Sequence, residues 1–158
     1  MQLLQNGDIV SYNGKKYEVI DVKMDGNCLF RCFALLMNGS EEDHHILRSE
    51  IVAWLVENRE KVAPYLAGIT AAEKENHAYS EADFDAFVEN LKKDRFWGGN
   101  ESIYAFAMAK NRVVSIRNPD GSEIIIQPKA KGLVHSGRKQ TVHLYYTGAH
   151  YMVLSKID

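Results

Sequence analysis

The residues best placed to do chemistry are Asp25-Gly26-Asn27-Cys28-Leu29-Phe30-Arg31, a polar turn that delivers a cysteine into the first turn of an apolar helix. Backbone N–H groups at a helix N-terminus have no intrahelical partners and carry the positive end of the helix dipole, so a thiolate there is stabilised and its pKa falls. The same donors can hold an oxyanion. Gly26 takes backbone conformations that other residues avoid, and Asn27 tolerates them nearly as well, so the turn can aim several donors at one point. The competing use of a cysteine is as a small core residue, and Cys32, one helical turn further along, is read that way. A thiol nucleophile also needs a histidine within hydrogen-bond reach, which can lie far along the chain. His150, opening the last strand-like run, is the candidate.

Other chemistries fit less well. Two cysteines in 158 residues make no disulfide framework and suit a reducing compartment. Of the six histidines, His44 and His45 are adjacent and diverge on a helix, while His135, His143 and His150 lack a Cys-x-x-Cys or His-Glu-x-x-His frame, so neither metal nor another cofactor is expected. A net charge of −2 provides no field for phosphate backbones, which argues against nucleic acid as a partner. Residues 1–6 do not lead with basic charge into an apolar core, and no apolar run approaches the ~18 residues of a membrane span. A soluble, untargeted monomer is expected. With 46% hydrophobic and 25% charged residues, the chain reads as one domain over 1–158.

The positioning elements follow from local pattern. Residues 8–12 and 16–22 are β-rich runs joined at Asn13-Gly14, which favours a two-residue type I′ hairpin turn. Residues 28–37 are apolar on nearly every side, as in a helix buried at the centre of a domain, and Asn38-Gly39 ends it. Ser40 is placed as the N-cap of a second helix with a Leu47, Ile51, Leu55 stripe. Residues 67–79 are mixed loop and short helix. Ser80 and Asp83 resemble a capping box before Phe84, Phe87, Val88 and Leu91. After Trp97-Gly98-Gly99 comes a helix over 101–110, then strands over 112–117 and 122–127 across Asn118-Pro119-Asp120-Gly121. A loop over 128–139 holds Lys129, Lys131, Arg138 and Lys139, read as a solvated loop. Strands over 141–146 and 150–155 complete the chain, with His150, Met152 and Leu154 on one face. This order suggests an α+β fold with helices packed on a mostly antiparallel sheet.

Asp25-Gly26-Asn27-Cys28-Leu29-Phe30-Arg31, Trp97-Gly98-Gly99 and His150-Tyr151, in this order and spacing, resemble the ovarian-tumour (OTU) family of cysteine deubiquitinases along almost the whole chain. The resemblance implies a papain-like core, a central sheet between helical layers, and hydrolysis of the isopeptide bond at the ubiquitin C-terminus. It makes Cys28 the nucleophile, His150 the general base and acid, and Asp25 a member of the active-site set, with the backbone from Asp25 to Cys28 as oxyanion hole. Gly26, Asn27, Trp97, Gly98, Gly99 and Tyr151 would meet the substrate tail. The implied partner is ubiquitin or polyubiquitin, in the cytoplasm of a eukaryotic cell, its own or a host's. The alternatives are a papain-like hydrolase acting on a ubiquitin-like modifier or another amide, and a catalytically silent ubiquitin-binding module. One position departs from the pattern. Many members carry Asn or Asp two residues after the histidine, on its face of the strand; here it is Met152, whose thioether is too weak an acceptor. The orienting group must then be another: Asp25, Asp21, a carbonyl or water.

Overall fold

The computed structural model describes residues 3–62, 81–128 and 140–157. Six strands, β1 (Ile9–Tyr12), β2 (Lys15–Ile20), β3 (Val113–Arg117), β4 (Glu123–Ile126), β5 (Thr141–Tyr146) and β6 (Tyr151–Ile157), form one sheet in the order β1-β2-β6-β5-β3-β4. Every neighbouring pair is antiparallel except β3 with β5. Two of the three described hairpins are built as their turn residues dictate. Asn13 and Gly14 have φ of 52° and 79°, the left-handed values a type I′ turn needs at both central positions. At the β3–β4 turn the Gly121 N–H donates to the Asn118 carbonyl at 2.9 Å, with Gly121 at φ 86°. The basic loop over 129–139 and the segment over 63–80, including Ser80 of the expected capping box, lie outside the described residues.

Among the described residues the α-helices are α1 (Cys28–Asn38), α2 (His44–Glu57), α3 (Glu81–Leu91) and α4 (Asn100–Lys110). α1 is the centre of the domain, as its all-round apolar pattern requires: Phe30, Cys32, Phe33 and Ala34 are fully buried and Leu29 nearly so. Phe33 stacks on Phe106 of α4 at 3.9 Å between ring centroids. Gly39, at φ 76°, ends α1 in the left-handed conformation. Ser40 does cap, but it accepts the Glu42 N–H at 3.3 Å and starts a 3-10 turn, Glu41–Asp43, from which α2 then follows.

Alternation along the strands divides the apolar residues into two sets. Val114, Ile116, Leu144, Tyr151 and Val153 join side chains from all four helices in the main core. Tyr17, Val19, Tyr145, Met152 and Leu154 pack on the opposite face with Leu4, Val10 and Tyr12. The result is the expected α+β arrangement, and it puts the start of α1 beside the start of β6.

Candidate active site

Cys28 is the first residue of α1, and Asn27 is its N-cap. The Asn27 carbonyl accepts the Arg31 N–H at 2.8 Å, which closes the first turn. Cys28 borders a narrow cleft of about 20 Å³, room for roughly one water molecule. One wall is Gly26, Cys28 and Leu29, the other is Trp97 and Gly98, and Tyr146, Ala149 and Tyr151 complete it. The thiol departs from expectation in one respect. Burial pushes the Cys28 thiol up, the nearby Asp25 charge adds to this, and hydrogen bonds from the Tyr151 and Leu29 N–H groups oppose it without prevailing. Desolvation of the anion outweighs the helix terminus. Cys32 is fully buried and its thiol lies well above the usual range for the same first reason, so of the two thiols Cys28 alone reaches the cleft.

The turn before Cys28 is fixed by ion pairing. Both Asp25 carboxylate oxygens accept from the Arg31 guanidinium, at 3.0 Å from Nη2 and 3.2 Å from Nε, and Oδ1 also accepts the Asn27 N–H at 2.9 Å. Burial alone would raise the Asp25 carboxyl, but Arg31 and the Asn27 N–H hold it below the usual carboxylate range. Arg31 continues to Glu41 at 3.3 Å. Asp25 therefore shapes the turn. It also occupies the Asn27 N–H, while the Cys28 N–H makes a long 3.3 Å bond to the Asp25 carbonyl, so Asn27 drops out of the donors available to an oxyanion.

The histidine takes a different carboxylate. His150 is 2% exposed, and its Nε2 donates to Asp21 Oδ1 at 2.7 Å. Asp21 Oδ1 also accepts the Val22 N–H at 2.8 Å, and the Asp21 N–H donates to Asn6 Oδ1 at 2.9 Å. With Nε2 as the donor in the neutral ring, Nδ1 carries the lone pair, and it is buried with no partner among the described residues. The next residue, Tyr151, lines the cleft with Cys28, which sets nucleophile and histidine on adjoining backbone. The register explains how Asp21 replaces the missing side chain at Met152. β2 pairs β6 as Val19 with Leu154 and Ile20 with Val153, and one further step sets Asp21 across from Met152, on the face His150 shares.

Not every predicted site residue meets the cleft. Asp25, Asn27, Gly99 and His150 do not line it; Asp25 is turned to Arg31 and His150 to Asp21. Asn27 is 2% exposed and its amide bonds Arg48, Asp94 and the Arg95 backbone, because an interior amide must find partners. Gly99 is the N-cap of α4, and its N–H donates to Glu101 Oε1 at 3.0 Å. Gly26, Trp97, Gly98 and Tyr151 do line the cleft, with Trp97 60% exposed at its edge. Tyr146, Ala149 and Leu29 were not anticipated. Tyr146 stacks on Tyr151 at 4.3 Å and donates its hydroxyl to the Gly148 carbonyl at 2.9 Å; aromatic residues spaced across a predicted hairpin were the only available signal.

The two glycines of Trp97-Gly98-Gly99 differ in what surrounds them. A Cβ on Gly98 would lie 2.9 Å from Leu29 Cδ2 and from Phe30 Cζ, inside the first turn of α1, whereas one on Gly99 would first meet the end of the Glu101 side chain at 3.0 Å. Gly98→Ala should lower the melting temperature by roughly 2–10 °C, the range expected for overpacking in a domain of this size, and reduce turnover at least tenfold (~1.4 kcal/mol in the barrier). Gly99→Ala should leave both close to wild type. Calorimetry and steady-state kinetics on the pair check this, and equal losses would place the requirement in both glycines.

A family model described as OTU-like cysteine protease matches residues 23–151. The chain is 27% identical over 143 residues to the OVARIAN TUMOR DOMAIN-containing deubiquitinating enzyme 7 of Arabidopsis thaliana, covering 89% of this chain and 34% of that protein. It thus spans about a third of the length of such a relative. Among solved structures, the viral OTU domain protease from Farallon virus has a TM-score of 0.68 at 23% identity, covering 99% of this chain and 96% of that one. An ovarian tumor (OTU) domain solved in complex with ubiquitin has a TM-score of 0.65 at 16% identity, covering 98% and 80%. The match over residues 23–151 takes in the cysteine turn, the glycine segment and the histidine together, and the chain belongs to the OTU-like cysteine protease family.

Proposed function

We propose that this chain is a cysteine deubiquitinase acting at the ubiquitin C-terminus. The observation that carries the reading is the cleft at Cys28. Gly26 and Gly98 border the thiol with backbone alone, and a space of about 20 Å³ leaves no room there for a side chain. A tail ending in Gly-Gly, which brings none, is the substrate such a constriction selects. Relatives named deubiquitinating enzyme and an OTU domain bound to ubiquitin support the same assignment.

In this mechanism the resting nucleophile is the thiol. His150 Nδ1 takes the Cys28 proton as sulfur attacks the carbonyl carbon of the terminal glycine, and Asp21 stabilises the imidazolium that forms. The tetrahedral oxyanion collapses, the C–N bond breaks, and the leaving lysine amine takes the proton from Nδ1. Water then gives a proton to Nδ1 and attacks the thioester, and the released thiolate is reprotonated by His150. Asp25 keeps the turn in shape and stands apart from the proton transfers. No cofactor enters this scheme. Ubiquitin or polyubiquitin is the partner, met by a monomer in a reducing cytoplasm.

Incubation with ubiquitin bearing a C-terminal electrophile tests the reading. A single adduct of one ubiquitin at Cys28 is expected, read by intact mass and peptide mapping. Adducts with electrophiles built on a ubiquitin-like modifier, and none with ubiquitin, would move the substrate to that modifier. Binding to ubiquitin without any adduct would make the chain a silent binding module.

A further inference from the structure

Arg48 of α2 is 4% exposed, yet among the described residues no carboxylate bonds it. Its Nη1 donates to the Leu91 carbonyl at 2.7 Å, its Nη2 donates to Asn27 Oδ1 at 2.6 Å, and its Nε has no partner among the described residues. The guanidinium lies over the Phe30 ring, 4.1 Å from the centroid. Burying a cation against neutral acceptors is costly, and apolar residues of similar volume often serve stability as well or better. Burial pushes the Arg48 pKa down, with Asp94 and Asp25 only partly opposing. Stability alone is thus a poor account of a guanidinium here, whereas the placement of its two bonds is informative.

Leu91 is the last residue of α3, where the chain sets out toward the Trp97-Gly98 wall of the cleft. Asn27 lies behind the opposite wall, between Gly26 and Cys28 in the chain. Its Oδ1 also accepts the Arg95 N–H at 2.9 Å, and its Nδ2 donates to Asp94 Oδ1 at 2.9 Å, so the one amide ties the cysteine turn to the middle of the facing segment. The two backbones touch there: a Cβ on Gly26 would lie 1.8 Å from the Arg95 carbonyl oxygen. The ring that Arg48 covers, Phe30, is also the surface on which Gly98 rests. Arg48 therefore grips the start of one wall directly and its middle through Asn27. We propose that Arg48 is a positioning residue for Cys28: by seating the Asn27 amide it fastens the cysteine turn to the segment carrying Trp97 and Gly98, and so sets the width of the cleft.

A planar fork suits this task because its two donors have fixed spacing and direction. A lysine supplies donors from a single point, cannot reproduce the fork, and does not cover Phe30 in the same way. The catalytic consequence rests on the deubiquitinase reading; the structural consequence does not, so the two are measured separately. In Arg48→Lys, amide hydrogen exchange should accelerate at least tenfold at residues 26–28 and 94–98 together, with β2, β5 and β6 unchanged. Turnover of ubiquitin carrying a C-terminal fluorogenic amide should fall at least thirtyfold in kcat/KM, with kcat lowered, while alkylation of Cys28 by iodoacetamide stays within threefold of wild type. Arg48→Gln is the second variant should the lysine form not fold. Asn27→Ala should give the same exchange pattern, and adding Arg48→Lys to it should change exchange and kcat/KM by less than threefold more. Acceleration spread evenly over the domain, no acceleration, or effects of the two substitutions that multiply would overturn the proposal. Wild-type protein inert toward the fluorogenic substrate would instead count against the deubiquitinase reading, and the exchange cycle would still decide the part played by Arg48.

Discussion

Cys28→Ala should abolish turnover of a ubiquitin amide, lowering kcat on the order of 10⁴–10⁶-fold, as loss of the nucleophile does in related triad chemistry. The side chain is half-buried at the edge of the core, so a removed sulfur leaves little void, and the melting temperature should stay near that of wild type. Cys32→Ala should do the reverse. Its thiol is fully buried in the main core, so its removal costs packing while labelling by the ubiquitin electrophile persists. Folded Cys28→Ala protein that still forms the adduct would remove Cys28 from the mechanism. The unmodified thiol has its own signature. Because burial holds the thiol above its usual range, iodoacetamide alkylation of Cys28 should climb through the alkaline range. A plateau already reached below neutrality would mean that thiolate is the resting form.

The second large effect belongs to Asp21. Its carboxylate is the group bonded to His150 Nε2, at 2.7 Å, so Asp21→Ala frees the ring to rotate or change tautomer and removes the anion that steadies the imidazolium. A loss of roughly 10²–10⁴ in kcat is expected, by analogy with the removal of an orienting carboxylate elsewhere. The minor thiolate–imidazolium population in equilibrium with the resting thiol should also shrink, which lowers Cys28 alkylation near neutrality and moves its pH profile upward. Asp25→Ala should lower turnover through the shape of the turn and leave that profile in place, because Asp25 bonds Arg31 and the Asn27 N–H. The two profiles measured side by side decide between the carboxylates. A shift in Asp25→Ala with none in Asp21→Ala would reverse their roles.

What could be read from the sequence was local. The buried α1, the Asn13-Gly14 hairpin and the stop at Gly39 follow from patterns a few residues long, and each stands where it was expected. The same holds for Cys28 at the helix start. What could not be read depends on how distant strands pair. Asp21 becomes the partner of His150 only once β2 lies against β6 in one register, and nothing in residues 16–22 states which strand they will meet. Asp21 could be named beforehand as one of two carboxylates, but not chosen. The thiol of Cys28 was misjudged in direction for a related reason: the helix terminus is visible in the sequence, while desolvation by neighbours drawn from the rest of the chain is not. The family resemblance places Asn27 against the substrate tail. Its side chain instead turns inward to Arg48, Asp94 and Arg95, which belong to other elements.

The place of β6 in the sheet also bears on when the enzyme comes into being. Of the described strands β6 comes last in sequence, yet it is an interior one, inserted between β2 and β5. Before it docks, the strands are two separate groups, the β1–β2 hairpin and the β3, β4 and β5 set, which the ladder joins only through β6. Pairings this distant in sequence close late, after local elements have formed. The docking that completes the sheet is also the one that brings His150 to Asp21 and Tyr151 to Cys28. A chain emerging from the ribosome therefore holds Cys28 without its candidate base, His150, until β6 docks, and the thiol has no proton acceptor before the sheet is whole.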